Sequence, residues 1–283
     1  MNYIIGMCKK NKNWVTVLAD LGYDAQIIEQ RITTSSGDAV KPDIVAVSNR
    51  LIHSLVFECK GGTTVDVNQL RRYSTLTTEN LLRWITIFDR SNLQFDVCIS
   101  DLKENHRYIK SRNQLFPMLT FGPKQLLKTR DFKNSKLNDT FKESISLKQK
   151  IAPLSYYPFS EEDTDSYIAI HVVRALLSIV MKNIKKGGPD VFEESVISCD
   201  EVIAHKFNHV WKALSREHRG SLKNKIHEVI RRIMAKESVK ESLGIIKQKE
   251  GYKIARNLEQ FKTEAERLIA ELQTQRPLAA FLD

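Results

Sequence analysis

Apolar and polar residues alternate in short blocks through the first half of the chain and settle into a longer helical period in the second. Between residues 41 and 62, two apolar runs, Ile44–Val47 and Leu55–Phe57, flank the polar turn Ser48-Asn49-Arg50, the pattern of a β-hairpin. Upstream, Asn13 is placed to cap a helix running to about Leu21, with Trp14, Val17, Leu18 and Leu21 on one face and Gly22 as its stop. A strand over Ala25–Ile32 and a polar loop over Thr33–Asp38 lead into the hairpin. Downstream, Val65–Tyr73 reads as a helix, Thr78 to about Trp84 as helical, and Phe95–Ser100 and Phe116–Phe121 as strands. Pro123 follows Gly122 and fits the first turn of a helix over Lys124–Thr129. Residues 1–130 therefore read as an α/β domain.

Residues 131–160 turn polar and lose periodicity, as a connection would, and residues 161–256 read as a mainly α domain. A helix starts at Asp163 and carries Ile168, Val172, Leu176, Ile179 and Val180, and Gly187-Gly188-Pro189 stops it. A short strand, Val191–Ile197, precedes Ser198–Asp200, which cap a helix containing Val202, Phe207, Val210 and Trp211. The next helix, Ser221–Lys236, sets Leu222, Ile226, Val229, Ile230 and Ile233 against a basic side of Lys223, His227, Arg231 and Arg232. Leu243–Ile254 reads as a hairpin turning near Glu250-Gly251 and bearing Lys247 and Lys249. Helix, basic helix and hairpin resemble a winged helix–turn–helix in shape, in which the basic helix enters the major groove and the wing touches the backbone. Such a face is also found merely solvated, and winged helices also bind proteins. Residues 257–283 hold an amphipathic helix in which Leu258, Phe261, Ala265, Leu268 and Leu272 form a short heptad seam. Such a seam either packs on its own domain or forms a homodimer.

With 283 residues, 42% hydrophobic and 28% charged, the chain is long enough for two globular domains. No run approaches the roughly 18 apolar residues of a membrane span. The charges near the start follow a very short apolar run, the wrong order for a secretory signal, so a cytoplasmic, nucleoid-associated protein is expected. Cys8, Cys59, Cys98 and Cys199 form no CxxC pair, which argues against a zinc ribbon or a cysteine-ligated iron–sulfur cluster. The net charge of +10 favours a polyanionic partner, DNA first among them. Glu201–Arg256 holds 14 Lys and Arg against 6 Glu, a net +8 that leaves only +2 for the remaining residues. There is no GxxxxGK[ST] loop, HExxH or Ser/His/Asp signature, so any ATPase or specificity protein would be a separate partner.

The chemistry concentrates at the hairpin. Asp43 opens its first strand, and Glu58 and Lys60 close the second. Side chains alternate along a strand, so Glu58 and Lys60 share a face while Cys59 points to the other. Mg2+ takes oxygen ligands, typically one or two carboxylates with water and substrate phosphate. Asp43, Glu58 and the main-chain carbonyl of Cys59 are the candidate ligands, with Mn2+ able to substitute. The metal would acidify a bound water, and Lys60 would orient that water or stabilise developing negative charge. The same residue types also end ordinary solvent-facing strands. Gly61-Gly62 then allows a tight turn and close approach of a phosphate backbone. Gln69 and Tyr73, four apart on the following helix, share a face, and Arg71 and Arg72 on that helix can meet phosphates.

Pro42-Asp43 and Glu58-Cys59-Lys60, with 14 residues between the two acids, resemble the motif of the PD-(D/E)xK, or restriction-endonuclease-like, nuclease superfamily. A helix before the hairpin, a helix after it and further strands extend the likeness over roughly residues 10–128. The helix–Leu-Gly-Tyr–strand lead-in is similar to that of archaeal Holliday-junction resolvases and Mrr-like restriction nucleases. The resemblance implies a central mixed sheet flanked by helices and a Mg2+-dependent endodeoxyribonuclease leaving a 5′-phosphate and a 3′-hydroxyl. Asp43, Glu58 and Lys60 would be catalytic. Gln69 and Tyr73 would face the site as a Gln-xxx-Tyr pair does in RecB-type members, although a surface amide and a half-buried tyrosine fit the same spacing. Relatives often add an upstream acid. Here Glu29 is the better placed, Asp20 lies at a helix end, and an edge-strand Glu in solvent is the alternative. Restriction or phage defence, recombination or repair, and strand cutting in a transposition system are all served by this superfamily. A non-catalytic DNA-binding or scaffold protein on the same fold, and an RNA-cutting relative, are the other readings.

Overall fold

The described residues are 1–10, 14–142, 144–147, 156–187, 196–235, 237–255 and 257–274 of a computed structural model. They form two compact units: Met1–Tyr156 with Lys212–Ser215, and Tyr157–Trp211 with Arg216–Asp283.

The hairpin is the centre of the first unit. Strand β4 (Ile44–Ser48) runs antiparallel to β5 (His53–Lys60), with Ile44 opposite Phe57 and Ser48 opposite His53. Every residue of β4 is buried, so both faces of the hairpin are covered. Strands β6 (Gln94–Leu102) and β7 (Met118–Phe121) continue the sheet parallel to β5, and parallel neighbours require crossovers. Helices α3 (Val67–Ser74) and α4 (Thr78–Leu82) lie between β5 and β6, and α5 (His106–Arg112) lies between β6 and β7. Asp66 caps α3 by accepting from the Asn68 N–H, and Thr77 with Asn80 forms a capping box for α4. Val45, Val47, Val56 and Val97 cluster with Tyr73 and Leu81, while Ile99 and Met118 cluster with Leu70 and Ile109. Helix α1 (Asn2–Met7) reaches the sheet through Tyr3, whose ring stacks on Phe121 at 4.9 Å between centroids.

Around this centre, β1 (Tyr23–Ile28) pairs with β4, and β8 (Gln125–Thr129) and β9 (Ser144–Ser146) extend the far edge. The sheet has seven strands in the order β1-β4-β5-β6-β7-β8-β9. Strands β2 (Ile32–Thr33) and β3 (Ala39–Val40) form a separate ribbon. The first unit is thus an α/β fold on a large mixed sheet flanked by helices.

Several sequence expectations are corrected. The helix expected from Asn13 is the single turn α2 (Val17–Asp20), and Asn13 itself lies outside the described residues. The strand expected to reach Ile32 ends at Ile28, because Glu29 adopts φ 57° and turns the chain out of the sheet. Lys124–Thr129 is not a helix but β8, closing a tight turn in which the Gly122 N–H donates to the Gln125 carbonyl. The supposed connection holds α6 (Ser135–Thr140), capped by Asn134, and β9, and buries Phe132, Leu137 and Phe141. The first unit therefore extends to Tyr156 rather than 130. Residues 148–155, also assigned to the connection, lie outside the described residues.

In the second unit, α7 (Asp165–Gly187) is the core helix. Its stretch Asp165–Ile184 is long and apolar enough to cross a membrane by length and composition, contrary to the expectation that no run approaches that size. Here Ile168, Val172, Leu176 and Val180 are buried, and α7 packs against α8 (Cys199–Lys206), α9 (Arg216–Ala235) and α11 (Leu258–Thr274). The heptad seam Phe261, Ala265, Leu268 and Leu272 is buried in this way within its own unit. Ser198 caps α8 with Glu201 in a capping box. Helix α8 stops at Lys206, so Phe207 and Val210 are buried beyond its end. Helix α9 begins five residues before the expected Ser221, and α10 (Glu237–Leu243) follows it. The expected hairpin is β11 (Ile245–Lys247) and β12 (Tyr252–Ile254), and β10 (Val196–Ile197) completes a sheet of order β10-β12-β11. The rest of the expected strand, 191–195, lies outside the described residues, as do Gly188, Pro189, Lys236 and Arg256. Gly251 is dictated by close approach, since a Cβ there would lie 2.3 Å from the Ile197 carbonyl oxygen.

Candidate active site

Asp43 directly precedes Ile44, and its backbone N–H donates to the Phe57 carbonyl at 3.1 Å. The antiparallel register therefore sets Asp43 beside Glu58 at the end of the hairpin. Asp43 Oδ2 accepts from the Cys59 N–H at 2.5 Å. Glu58 is 5% exposed and is the hub of the cluster. Its Oε1 accepts from Lys60 Nζ at 2.7 Å and from Gln69 Nε2 at 2.9 Å, and its Oε2 accepts from the Tyr73 hydroxyl at 2.7 Å. Lys60 Nζ also donates to Gln69 Oε1 at 3.0 Å. Five residues, one just before β4, two on β5 and two on α3, spaced through 31 positions of sequence, thus converge on one end of the sheet. Gln69 and Tyr73 reach Glu58 together because they are one helical turn apart on α3.

The electrostatics are those of two acids with too little compensation. Burial, reinforced by Glu58 and then Glu29, pushes the Asp43 carboxyl up to about 7, and the Cys59 N–H bond only partly offsets this. Burial, followed by the charge and hydrogen bond of Glu58, raises the Tyr73 hydroxyl, so it remains a donor at neutral pH. Cys59 points away from this face, and burial lifts its thiol to about 12. Glu29 lies at the end of β1, with its N–H donating to the Asp43 carbonyl at 3.2 Å. Its carboxylate pairs with Lys41 at 2.6 Å. Asp20 is hydrogen bonded to Thr16 at 2.9 Å.

Among the described residues, no three His, Cys, Asp or Glu side chains are arranged to hold a metal. Two carboxylates and a carbonyl are nevertheless the usual protein share of a Mg2+ site, the rest being water and phosphate. Asp43, Glu58 and the Cys59 carbonyl are hard oxygen donors, the kind that a divalent cation such as Mg2+ or Mn2+ would take if one is held here. Beyond Lys60, Gly61 and Gly62 are exposed and have open space beside them. Arg71 is exposed on α3, and Arg72 lies 3.8 Å from Asp66.

A model of the MJECL32 domain matches residues 1–157, more than half of the chain. The chain belongs to the MJECL32 domain family. No curated protein and no solved structure matches it. The MJECL32 domain coincides closely with the main segment of the first unit, Met1–Tyr156, and contains the whole Asp43, Glu58, Lys60, Gln69 and Tyr73 cluster.

The MJECL32 domain also holds a polar group that sequence reasoning missed. Asp101 on β6 and Thr120 on β7 are both buried, and the Thr120 hydroxyl donates to Asp101 Oδ1 at 2.5 Å. His106 Nδ1 lies 3.2 Å from Asp101 Oδ2 and 2.8 Å from Thr120 Oγ. Helix α5 continues from His106 with exposed Arg107, Tyr108, Lys110 and Arg112 around the buried Ile109. The only advance signal was a basic run in His106–Arg112.

Outside the MJECL32 domain, the basic side of α9 is partly neutralised. Lys223 pairs with Asp200 at 2.8 Å, and Arg232 pairs with both Asp165 and Glu228. His227 Nδ1 is bonded to the Tyr252 hydroxyl at 2.7 Å, tying α9 to β12, and desolvation with nearby Lys223 lowers its pKa. Arg231, Lys247 and Lys249 are exposed.

Proposed function

We propose that the chain is a metal-dependent endodeoxyribonuclease of the restriction-endonuclease-like type, with its active site in the first unit and a winged-helix-like DNA reader in the second. The observation that carries this reading is the convergence of Asp43, Glu58, Lys60, Gln69 and Tyr73 on one sheet end, with Glu58 bonded to three of the other four. Asp43, Glu58 and the Cys59 carbonyl would hold Mg2+ or Mn2+. The bound ion would lower the pKa of a water and offset charge on the phosphate. Lys60 Nζ supplies fixed positive charge beside the carboxylates, where a phosphate oxyanion would develop. Gln69 bridges Lys60 and Glu58 and so holds both at a fixed spacing. Tyr73 keeps the Glu58 carboxyl oriented by donating to its Oε2.

The order β10-β12-β11, with α8 and α9 before the β11–β12 hairpin, supports the winged-helix reading. Arg231 and the hairpin residues Lys247 and Lys249 are among its exposed cations. Lys223 and Arg232 can trade their carboxylates for phosphates, since solvent-exposed ion pairs are worth only about 0–1 kcal/mol. Action at the nucleoid in restriction or defence, recombination or repair, or transposition fits the same site, with a separate ATPase or specificity protein where one is needed.

One observation favours a second reading, a non-catalytic nucleic-acid-binding protein. Both oxygens of Glu58 already have donors within 2.9 Å, as in a closed structural cluster. Calorimetric titration with Mn2+ separates the two readings. The nuclease reading predicts one carboxylate-dependent site, lost in Asp43→Asn and Glu58→Gln. Equal titrations of all three proteins would favour the binding protein.

A further inference from the structure

On the face that carries Glu58, the ends of three parallel strands present a row of polar residues. Asp101 is the register partner of Lys60, and Thr120 is the register partner of Asp101. In-register neighbours stand about 4.8 Å apart, so this row begins one strand-width from the Lys60 backbone. Asp101 and Thr120 are buried, an unusual place for a carboxylate unless it serves a partner.

That partner is His106. The Thr120 hydroxyl donates to Asp101 Oδ1, leaving its oxygen lone pairs to accept from His106 Nδ1–H at 2.8 Å, while Asp101 Oδ2 stands 3.2 Å from the same nitrogen. This polarity keeps a proton on Nδ1 and leaves Nε2 as the nitrogen that exchanges one. The His106 side chain is 23% exposed, whereas that of Asp101 is 0% exposed. Asn105, next to His106, donates to the Gly61 carbonyl at 3.0 Å, tying the start of α5 to the loop just beyond Lys60. His53 shows the contrast: it is held by Tyr23 and stands beside Asp96, but it is 0% exposed and cannot meet a substrate.

We propose that His106 is the general acid of the cleavage step, with Asp101 and Thr120 as its positioning residues. The inference rests on the nuclease reading of the Asp43/Glu58/Lys60 site. A water oxygen bonds to phosphorus and its proton passes to solvent. The P–O3′ bond breaks with its electron pair on O3′, and O3′ takes the proton from His106 Nε2. Solvent then reprotonates the imidazole. Loss of a positioned general acid typically costs about 10²–10⁴-fold in rate.

The test uses a DNA duplex whose principal cut site has been mapped with the full-length protein. A second duplex carries sulfur in place of the bridging 3′-oxygen at that linkage, because a thiolate leaves without being protonated. Single-turnover rates are compared at one fixed metal concentration. The proposal predicts that His106→Ala loses at least about 100-fold on the oxygen duplex and less than about tenfold on the sulfur duplex. Thr120→Val, which keeps the imidazole but loosens it, should show a smaller loss with the same sulfur rescue. Equal losses on both duplexes, or no loss on the oxygen duplex, would overturn the general acid while leaving the nuclease standing. A wild-type protein that cuts neither duplex would overturn both.

Discussion

Tyr73 on α3 donates its hydroxyl to Glu58 Oε2 at 2.7 Å, and the two residues are respectively 1% and 5% exposed. A helix and a strand are thereby locked through a buried carboxyl acceptor away from water. Hydrogen bonds to charged groups are worth about 1.5–3 kcal/mol, and a buried acceptor left unpaired costs its full desolvation. Tyr73→Phe should therefore lower stability by about that amount, read from the urea midpoint at unchanged m-value. It should also slow cleavage, since Glu58 loses one of its three donors. A variant as stable as wild type would mean that the bond contributes nothing.

Asp43 is expected to make the protein pH-sensitive when no metal is bound. Its carboxyl is raised from 3.8 to about 7, so between these values the native state holds a proton that the unfolded chain has released. Stability must then fall as pH rises through this window, and this group adds no further slope above it. Asp43→Asn should flatten that slope and be more stable than wild type at about pH 8 in a chelator, while losing the proposed metal site. Parallel urea curves at about pH 5 and about pH 8 decide it. Saturating Mg2+ should restore wild-type stability at the higher pH, by about 2.7 kcal/mol at a hundred times Kd.

The hairpin was legible because Ile44–Val47 and Leu55–Phe57 are buried on both faces, and such strands must be apolar throughout. Helix α3 was legible because Asp66 caps it and its inward positions, Leu70 and Tyr73, are spaced for a helix. Strand β8 was misread because Gly122-Pro123 suits a tight turn as well as a helix start, and Leu126 is its one fully buried residue. Helix α5 buries only Ile109, too little to give a period. The Asp101, His106 and Thr120 group joins two strands and a helix through tertiary contacts that no sequence spacing announces.

Gly251 limits the small sheet of the second unit. A Cβ at this position would lie 2.3 Å from the Ile197 carbonyl oxygen and 2.7 Å from its carbon, both backbone atoms that cannot swing away. Gly251→Ala should break the β10–β12 pairing and destabilise the second unit by about 1–3 kcal/mol or more. Hydrogen exchange at Tyr252–Ile254 would report it locally, and unchanged protection there would contradict the prediction.

Arg231, Lys247 and Lys249, among the exposed cations of the second unit, should govern salt dependence rather than chemistry. Replacing Arg231, Lys247 or Lys249 with Gln should weaken duplex binding at low salt. Each lost phosphate contact should reduce the slope of log K against log salt by about 0.9. Fluorescence anisotropy across a salt series measures this. Unchanged slopes in all three variants would remove this face from the DNA contact.

Asp43, Glu58 and Lys60 are proposed to cut a phosphodiester bond with a divalent cation. The most direct test is a time course of plasmid and oligonucleotide cleavage in Mg2+ or Mn2+, comparing wild type with Asp43→Asn and Lys60→Ala. Chelator-sensitive cutting by wild type alone, with 5′-phosphate and 3′-hydroxyl ends, is the expected result. Cutting that survives both substitutions, or DNA binding by all three proteins with cutting by none, would contradict it.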